Sequence, residues 1–230
     1  MKLFLDTANL DEIREGVRWG VLRGVTTNPT LIAKENSDFL PLVKEICATV
    51  DGEVSIETAS NDTAILIAQG RDIAQIAPNA VVKIAMTPDG LAATKALSDE
   101  GIKVNMTLVF TPAQAILAAE VGAHIVSPFL GRLDDISTDG LRVLAEICEI
   151  YETQGYTTQV LAASLRHPLH VIEAARIGAD IATMPFKVFE ALVKHPLTDA
   201  GFERFLDDWE EAKPHLGELL PSMYERERES

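Results

Sequence analysis

Short apolar, β-rich runs recur along the chain at about 3–6, 24–27, 54–58, 80–85, 103–109, 124–130, 158–164 and 181–184. Several are apolar at nearly every position rather than at alternate ones, the pattern of strands in a parallel sheet covered on both faces. Helical signals fill the intervals. Asn9 followed by Glu12 resembles a capping box, and Thr87-Pro88 and Thr111-Pro112 each place a cap residue before a first-turn proline. Glycines at 24, 52, 101, 122, 155 and 178 read as the left-handed residues that end helices before the next strand. The fourth strand instead follows Pro78-Asn79.

Eight strands alternating strictly with helices predict an α/β fold, a (β/α)8 TIM barrel, with a doubly wound open sheet as the second architecture. The unequal spacing of the units and the lack of a repeat signature set a solenoid aside. After the eighth unit an additional C-terminal helix is expected at about 198–213, with Phe202, Phe205, Leu206 and Trp209 on one stripe. That stripe needs a surface to cover, either its own barrel or a neighbouring subunit. The rest, 214–230, ends in the polar run Glu225-Arg226-Glu227-Arg228-Glu229-Ser230 and reads as a frayed tail. The whole of 1–230 is expected to be one domain.

Composition narrows the partners. A net charge of −15 argues against nucleic acid, which needs a clustered basic surface. An anionic substrate stays possible where a few arginines converge. No stretch approaches the roughly 18–20 apolar residues of a membrane helix, and the N-terminus runs from Lys2 into a strand without a secretory pattern. A soluble, cytoplasmic protein is expected, with no membrane partner. Cys47 and Cys148 lack metal-ligand spacing and read as buried small hydrophobes.

Barrel enzymes carry their chemistry at the C-terminal ends of the strands, and this registration puts many polar residues there. Lys83 lies inside the apolar run Val81-Val82-Lys83-Ile84-Ala85. A lysine so placed is an edge residue, one partner of an ion pair, or an amine whose pKa burial and a nearby cation depress until it attacks carbonyls. Asp6 ends the first strand, as a helix cap or as a base for a substrate hydroxyl. Glu57, with the hydroxyl of Thr107, can hold a water for the proton transfers of imine formation. Asn28 and Asn105 suit sugar hydroxyls, because an amide both donates and accepts, although each can equally be a turn residue. Ser127 closes the sixth strand and Ser164 the seventh. Arg132 and Arg166 follow those strands, where an arginine fork matches a phosphate or else forms a surface ion pair.

His167 and His170 have a weak metal-like spacing, but no carboxylate or cysteine partner stands near them in the sequence, so no metal is expected. No G-x-G-x-x-G follows the first strand, so dinucleotide use has no support.

The motifs Phe4-Leu5-Asp6-Thr7-Ala8, Thr26-Thr27-Asn28-Pro29-Thr30, Val82-Lys83-Ile84, Asn105-Met106-Thr107, Ser127-Pro128-Phe129-Leu130-Gly131-Arg132, Ala163-Ser164-Leu165-Arg166 and Pro185-Phe186-Lys187 together resemble the short members of the transaldolase family. The likeness runs to about Trp209. It implies a Schiff-base lysine at Lys83, an acid/base at Asp6, a water-holding pair at Glu57 and Thr107, and phosphate contacts from Ser164 and Arg166 with Arg132 alongside. The implied reaction moves a dihydroxyacetone unit between sugar phosphates and needs no cofactor. Homo-oligomeric rings, pentameric or decameric, are implied as well, with the C-terminal helix packed on a neighbour.

Fructose 6-phosphate aldolase, a sister activity, tends to carry glutamine and tyrosine where this chain has Glu57 and Phe129, which favours transfer over release of free dihydroxyacetone. Ala85 in place of the usual proline and the atypical Thr58-Ala59-Ser60 bear on substrate fit. A non-covalent sugar-phosphate isomerase or lyase, with Lys83 purely electrostatic, is the reading from another class. A catalytically idle scaffold is the third.

Overall fold

A computed structural model of the chain describes residues 1–219. The eight strands are β1 (Lys2–Asp6), β2 (Leu22–Thr26), β3 (Glu53–Glu57), β4 (Ala80–Ala85), β5 (Val104–Val109), β6 (Ile125–Pro128), β7 (Gln159–Ala162) and β8 (Ile181–Met184). They pair in parallel, in sequence order, and β8 returns to β1, so the sheet is a closed barrel and the open-sheet alternative falls. The helices are α1 (Leu10–Arg18), α2 (Pro29–Lys34), α3 (Phe39–Thr49), α4 (Thr63–Ala74), α5 (Pro88–Asp99), α6 (Pro112–Glu120), α7 (Leu130–Asp134), α8 (Gly140–Gln154), α9 (Pro168–Ile177), α10 (Phe186–Ala191) and α11 (Pro196–Ala212).

Alternation along each strand sorts its side chains between two interiors. Residues such as Val82 and Ile84 face the helices in the main hydrophobic cluster. The barrel lumen holds a smaller cluster of Phe4, Ile125, Leu161, Ala163 and Ile181, with Phe129 at its edge. Polar residues occupy the remaining inward positions toward the C-terminal ends. At the opposite end Glu53 accepts from Lys103 (2.7 Å) and pairs with His124 (2.8 Å), while Lys2 donates to Gln159 (2.9 Å). The hydrogen bond from His124, helped by Lys103, holds the Glu53 carboxyl down at about 2. These residues sit at or just before strand beginnings, at the end of the barrel away from Asp6 and Lys83.

Caps start the helices as expected, since Asn9, Thr87 and Thr111 each accept a first-turn N–H, but the capping box does not close: the Asn9 N–H donates to the Thr7 hydroxyl, which in turn donates to Glu12. Gly101, Gly122, Gly155 and Gly178 have positive φ and end helices. Gly24 and Gly52 do not. The left-handed residue before β2 is Gly20, and Gly24 lies within the strand, where a Cβ would sit 2.3–2.5 Å from three atoms of the Phe4 ring. Its role is to make room in the lumen. A Cβ on Gly52 would lie 1.9 Å from the Arg23 carbonyl oxygen, so that glycine allows a close backbone approach. At the Pro78-Asn79 turn the Asn79 Nδ2 lies within 3.0 Å of the carbonyl oxygens of Cys47, Val50 and Gly52, and its two hydrogens, shared among them, tie the end of α3 to the start of β4. Burial pushes both the Cys47 and Cys148 thiols up to about 11, which keeps them protonated.

The chain divides after Ala191, where the barrel unit ends. Within the second unit α11 is capped by His195, with Pro196 in its first turn, and starts two residues earlier than expected. Phe202, Phe205 and Leu206 are exposed. The polar run at 225–230 lies outside the described residues.

Candidate active site

Lys83 is almost fully buried on β4 and points into the lumen. Its Nζ donates to the Thr27 carbonyl (2.9 Å) and lies 2.9 Å from Glu57 Oε2. The ion pair follows from register: Glu57 and Lys83 are direct partners across β3 and β4, so both side chains leave the sheet on the same face. Of the alternatives open for this lysine, the structure shows the ion pair: its neighbours are a carboxylate and a carbonyl.

Asp6 faces the same well from the end of β1. Thr26 Oγ1 donates to Asp6 Oδ1 (2.8 Å) and lies 2.7 Å from Thr183 Oγ1. A hydroxyl has one proton, and that of Thr26 is committed to Asp6, so Thr183 is the donor of the second bond. The relay aims the carboxylate. Burial pushes the Asp6 carboxyl above the usual range, and the charge of Glu57 adds to this; Lys83 and the Thr26 hydroxyl pull the other way.

Thr107 is on β5, immediately before an irregularity in which one extra residue separates Met106 from Val109 relative to β6. Leu108 there has a φ of 59°, unusual for a branched side chain at a strand position. Thr107 Oγ1 is buried and has no hydrogen-bond partner among the described residues, although it lines the well with Lys83. A buried hydroxyl left in that condition favours a water or ligand oxygen.

The remaining expected residues divide. Asn28 accepts from the Leu31 N–H (3.0 Å) as the cap of α2, and it also lines the well. Ser127 lines the well and donates to Asn105 Oδ1 (2.6 Å), while Asn105 Nδ2 donates to Ser55 (3.1 Å). Asn105 is fully buried with both ends of its amide engaged. It braces the floor, with one N–H and one lone pair of its amide engaged by these neighbours.

Ser164 and Arg132 line the well opposite. Arg132 lies over the Phe129 ring, 5.2 Å from its centroid, and Phe129 in turn meets Phe110 edge-on. Arg166 is turned to Asp135 (2.7 Å), the surface ion pair that its type allowed. A phosphate there competes with Asp135 for the guanidinium. Ser164 has a φ of 58°, and a Cβ on Gly131 would lie 2.3 Å from its carbonyl oxygen and 2.4 Å from Arg166 Nε. That glycine lets the loop after β7 pass close to α7. The well shares Asn28, Lys83, Thr107, Phe129 and Arg132 with a wider vestibule of about 420 Å³, a size suited to small ligands.

With this geometry in view, residues 3–220 match the model of the family described as Transaldolase/Fructose-6-phosphate aldolase. The chain belongs to that family. A probable transaldolase of Kosmotoga olearia is 56% identical over 217 residues, covering 94% of this chain and all of the relative. One from Aquifex aeolicus is 58% identical, over 91% of this chain and 97% of its own length. Probable transaldolase 1 of Listeria monocytogenes is 57% identical over 93% of this chain and all of its own.

Two features of this family member escaped the sequence reading. Thr183 carries no motif, and only its inward place on β8 beside Thr26 links it to Asp6. His170, expected to lack an acidic partner, has one: its Nε2 is 3.1 Å from Asp134, which lies 36 residues upstream and is brought close by α7. The parity of strand positions was available as a signal for Thr183. Nothing local signals the histidine's partner.

Proposed function

We propose that this chain is a transaldolase, moving a dihydroxyacetone unit from a ketose phosphate to an aldose phosphate through a Schiff base on Lys83. The observation that carries this is the buried Lys83, paired with Glu57, in a well that Asp6 and the unpartnered Thr107 hydroxyl also line. The names of the relatives support it.

Glu57, at 2.9 Å, is placed to take the ammonium proton of Lys83, leaving an amine that attacks the ketose C2 carbonyl. The same carboxyl, with a water held at Thr107, returns the proton to the carbinolamine oxygen, and water leaves to give the iminium. Asp6 then removes the C4 hydroxyl proton. The C3–C4 bond breaks, its electrons pass into the iminium to form an enamine, and the aldose departs. An incoming aldehyde takes the enamine's electrons at its carbonyl carbon, its oxygen recovers the proton from Asp6, and hydrolysis frees Lys83. Ser164 and Arg132, with Arg166 once it leaves Asp135, hold the phosphate; Asn28 and Ser127 meet the sugar hydroxyls.

Sedoheptulose 7-phosphate or fructose 6-phosphate as donor, with glyceraldehyde 3-phosphate or erythrose 4-phosphate as acceptor, places the enzyme in the non-oxidative pentose phosphate pathway of the cytoplasm. A ring of identical subunits, pentameric or decameric, belongs to the same reading. Phe129 bears on the choice against an aldolase, because a phenyl ring has no proton to give the enamine, which then persists until an aldehyde arrives.

Borohydride reduction with fructose 6-phosphate tests the covalent step: a sugar-derived adduct on Lys83 and loss of activity are expected, and an unmodified, active protein refutes it. Fructose 6-phosphate is then assayed with and without erythrose 4-phosphate. Free dihydroxyacetone formed without acceptor, at the rate of transfer, assigns the chain to the aldolases.

A further inference from the structure

Three elements meet at His170, a buried ring in the first turn of α9. Its Nδ1 accepts from the Arg166 backbone N–H at 3.3 Å, so that nitrogen carries no proton. Its Nε2 lies 3.1 Å from Asp134 Oδ2 at the end of α7 and donates to it. The ring is therefore the neutral Nε2–H tautomer and spans two segments that each carry an arginine of the proposed anion site: Arg132 on α7, and Arg166 in the loop after β7. Ser164, in a left-handed conformation that a serine seldom adopts unaided, is in the same loop. Gly131 N–H donates to the Ser164 carbonyl (3.1 Å), a second tie between the same segments. Asp134 also accepts from the Gly140 N–H, which fixes the far end of the strut.

We propose that His170 is the positioning residue of the anion site, tying the Arg166 end of the loop to α7 only while Nδ1 is unprotonated, so that acid loosens Arg166 and weakens phosphate binding, while the backbone bond from Gly131 keeps Ser164 in place. The proposal rests on the reading of Ser164, Arg132 and Arg166 as the phosphate-binding group. A second proton on the ring turns Nδ1 into a donor facing the Arg166 N–H, two donors with no acceptor between them, while the bond to Asp134 survives. The strut therefore fails at one end. The charged and titratable groups facing the ring are Asp134 from α7 and, from the loop, Arg166 and His167, whose ring lies against it at 3.9 Å between centroids. Burial, then the charges of His167 and Arg166, lower the His170 pKa, and Asp134 raises it, leaving it below the ordinary value. The release consequently belongs to the acid side of neutrality.

Sulfate is the probe, because it keeps its charge across the range in which a phosphate ester itself titrates, near about 6. Its inhibition of turnover of fructose 6-phosphate with erythrose 4-phosphate is measured from about pH 8 to pH 5, where histidine titrates, on the intact protein and on His170→Asn, His170→Ala and Arg166→Ala. Wild type is expected to bind sulfate about tenfold more weakly at the acid end, the scale of one lost hydrogen bond. His170→Asn places an amide oxygen near the position of Nδ1 but is too short to reach Asp134, so it is expected to bind sulfate more weakly than wild type above neutrality and to lose the decline in acid. His170→Ala is expected to bind sulfate about tenfold more weakly at every pH, with kcat at saturating substrate within about threefold of wild type, since only binding is touched. A full acid decline in His170→Asn, or unchanged affinity in His170→Ala, overturns the proposal. Arg166→Ala separates this from failure of the underlying reading: if it binds sulfate as wild type does, the anion site is elsewhere and both fall.

Discussion

Replacing Glu57 by glutamine isolates what the carboxylate contributes to Lys83. The substitution keeps an oxygen able to accept from Nζ and removes the charge. The pair is well desolvated, with side-chain exposures of 6% for Lys83 and 20% for Glu57, and its separation is 2.9 Å. At an effective dielectric constant of about 20 the gross attraction at that distance is about 6 kcal/mol. Desolvation offsets much of it, and truncating one partner of a buried pair costs about 3–5 kcal/mol in measured cases. With the hydrogen bond retained, the expected loss is about 3 kcal/mol, which moves a urea midpoint by about 1 M for a slope near 3 kcal/mol per M. Lys83→Met in the same chain removes the stranded cation, so the double variant is expected to regain most of that loss. In rapid-quench borohydride trapping, Glu57→Gln alone should form the adduct about 100- to 1000-fold more slowly, the range for a lost general acid/base. A midpoint unchanged from wild type together with trapping at the wild-type rate refutes the argument, because neither the charge pairing nor the proton route would then exist.

Asp6→Asn removes a carboxylate that the fold disfavours. Its folded pKa is raised, so its contribution to stability is fully present below the unfolded value of about 3.9 and lost as pH rises through the folded value. At neutral pH the variant should melt above wild type while kcat falls about 100- to 10,000-fold; a lower melting temperature refutes the assignment of burial as the main cause. Thr26→Val deletes the hydrogen bond that lowers the Asp6 pKa. The acid limb of the kcat profile should move to higher pH, and an unmoved limb separates Asp6 from that ionisation. Gly24→Ala drives a Cβ into the Phe4 ring and should cost about 1–3 kcal/mol, read in a thermal melt. Phe4→Leu in the same chain should recover most of it, and no recovery places the strain elsewhere.

Much of the candidate site was legible because a barrel puts its polar residues where strands end. Lys83 stood out as a charge within an apolar run, and Asp6, Asn28, Thr107, Ser127 and Ser164 all reach the well that it occupies. Asn105 and Arg166 show the limit of that reasoning. Both are where the strand pattern predicts, yet one has its amide taken by Ser55 and Ser127 and the other its guanidinium by Asp135. Residue type and spacing specify capacity for hydrogen bonds, not which neighbour uses it.

From the sequence alone the order of elements, the parallel barrel and the residues at its mouth were determined, because burial on both faces of a sheet and the start of a helix leave local marks. Tertiary structure decided the pairings: Glu57 beside Lys83, Thr183 behind Thr26, Gly24 under the Phe4 ring, and His170 against Asp134. Each joins segments at least 20 residues apart in the chain, the first three through the register at which strands align as the barrel closes and the last through the docking of α9 beside α7. Since a slip of one residue turns every side chain of a strand to its other face, that register is a property of the closed sheet as a whole.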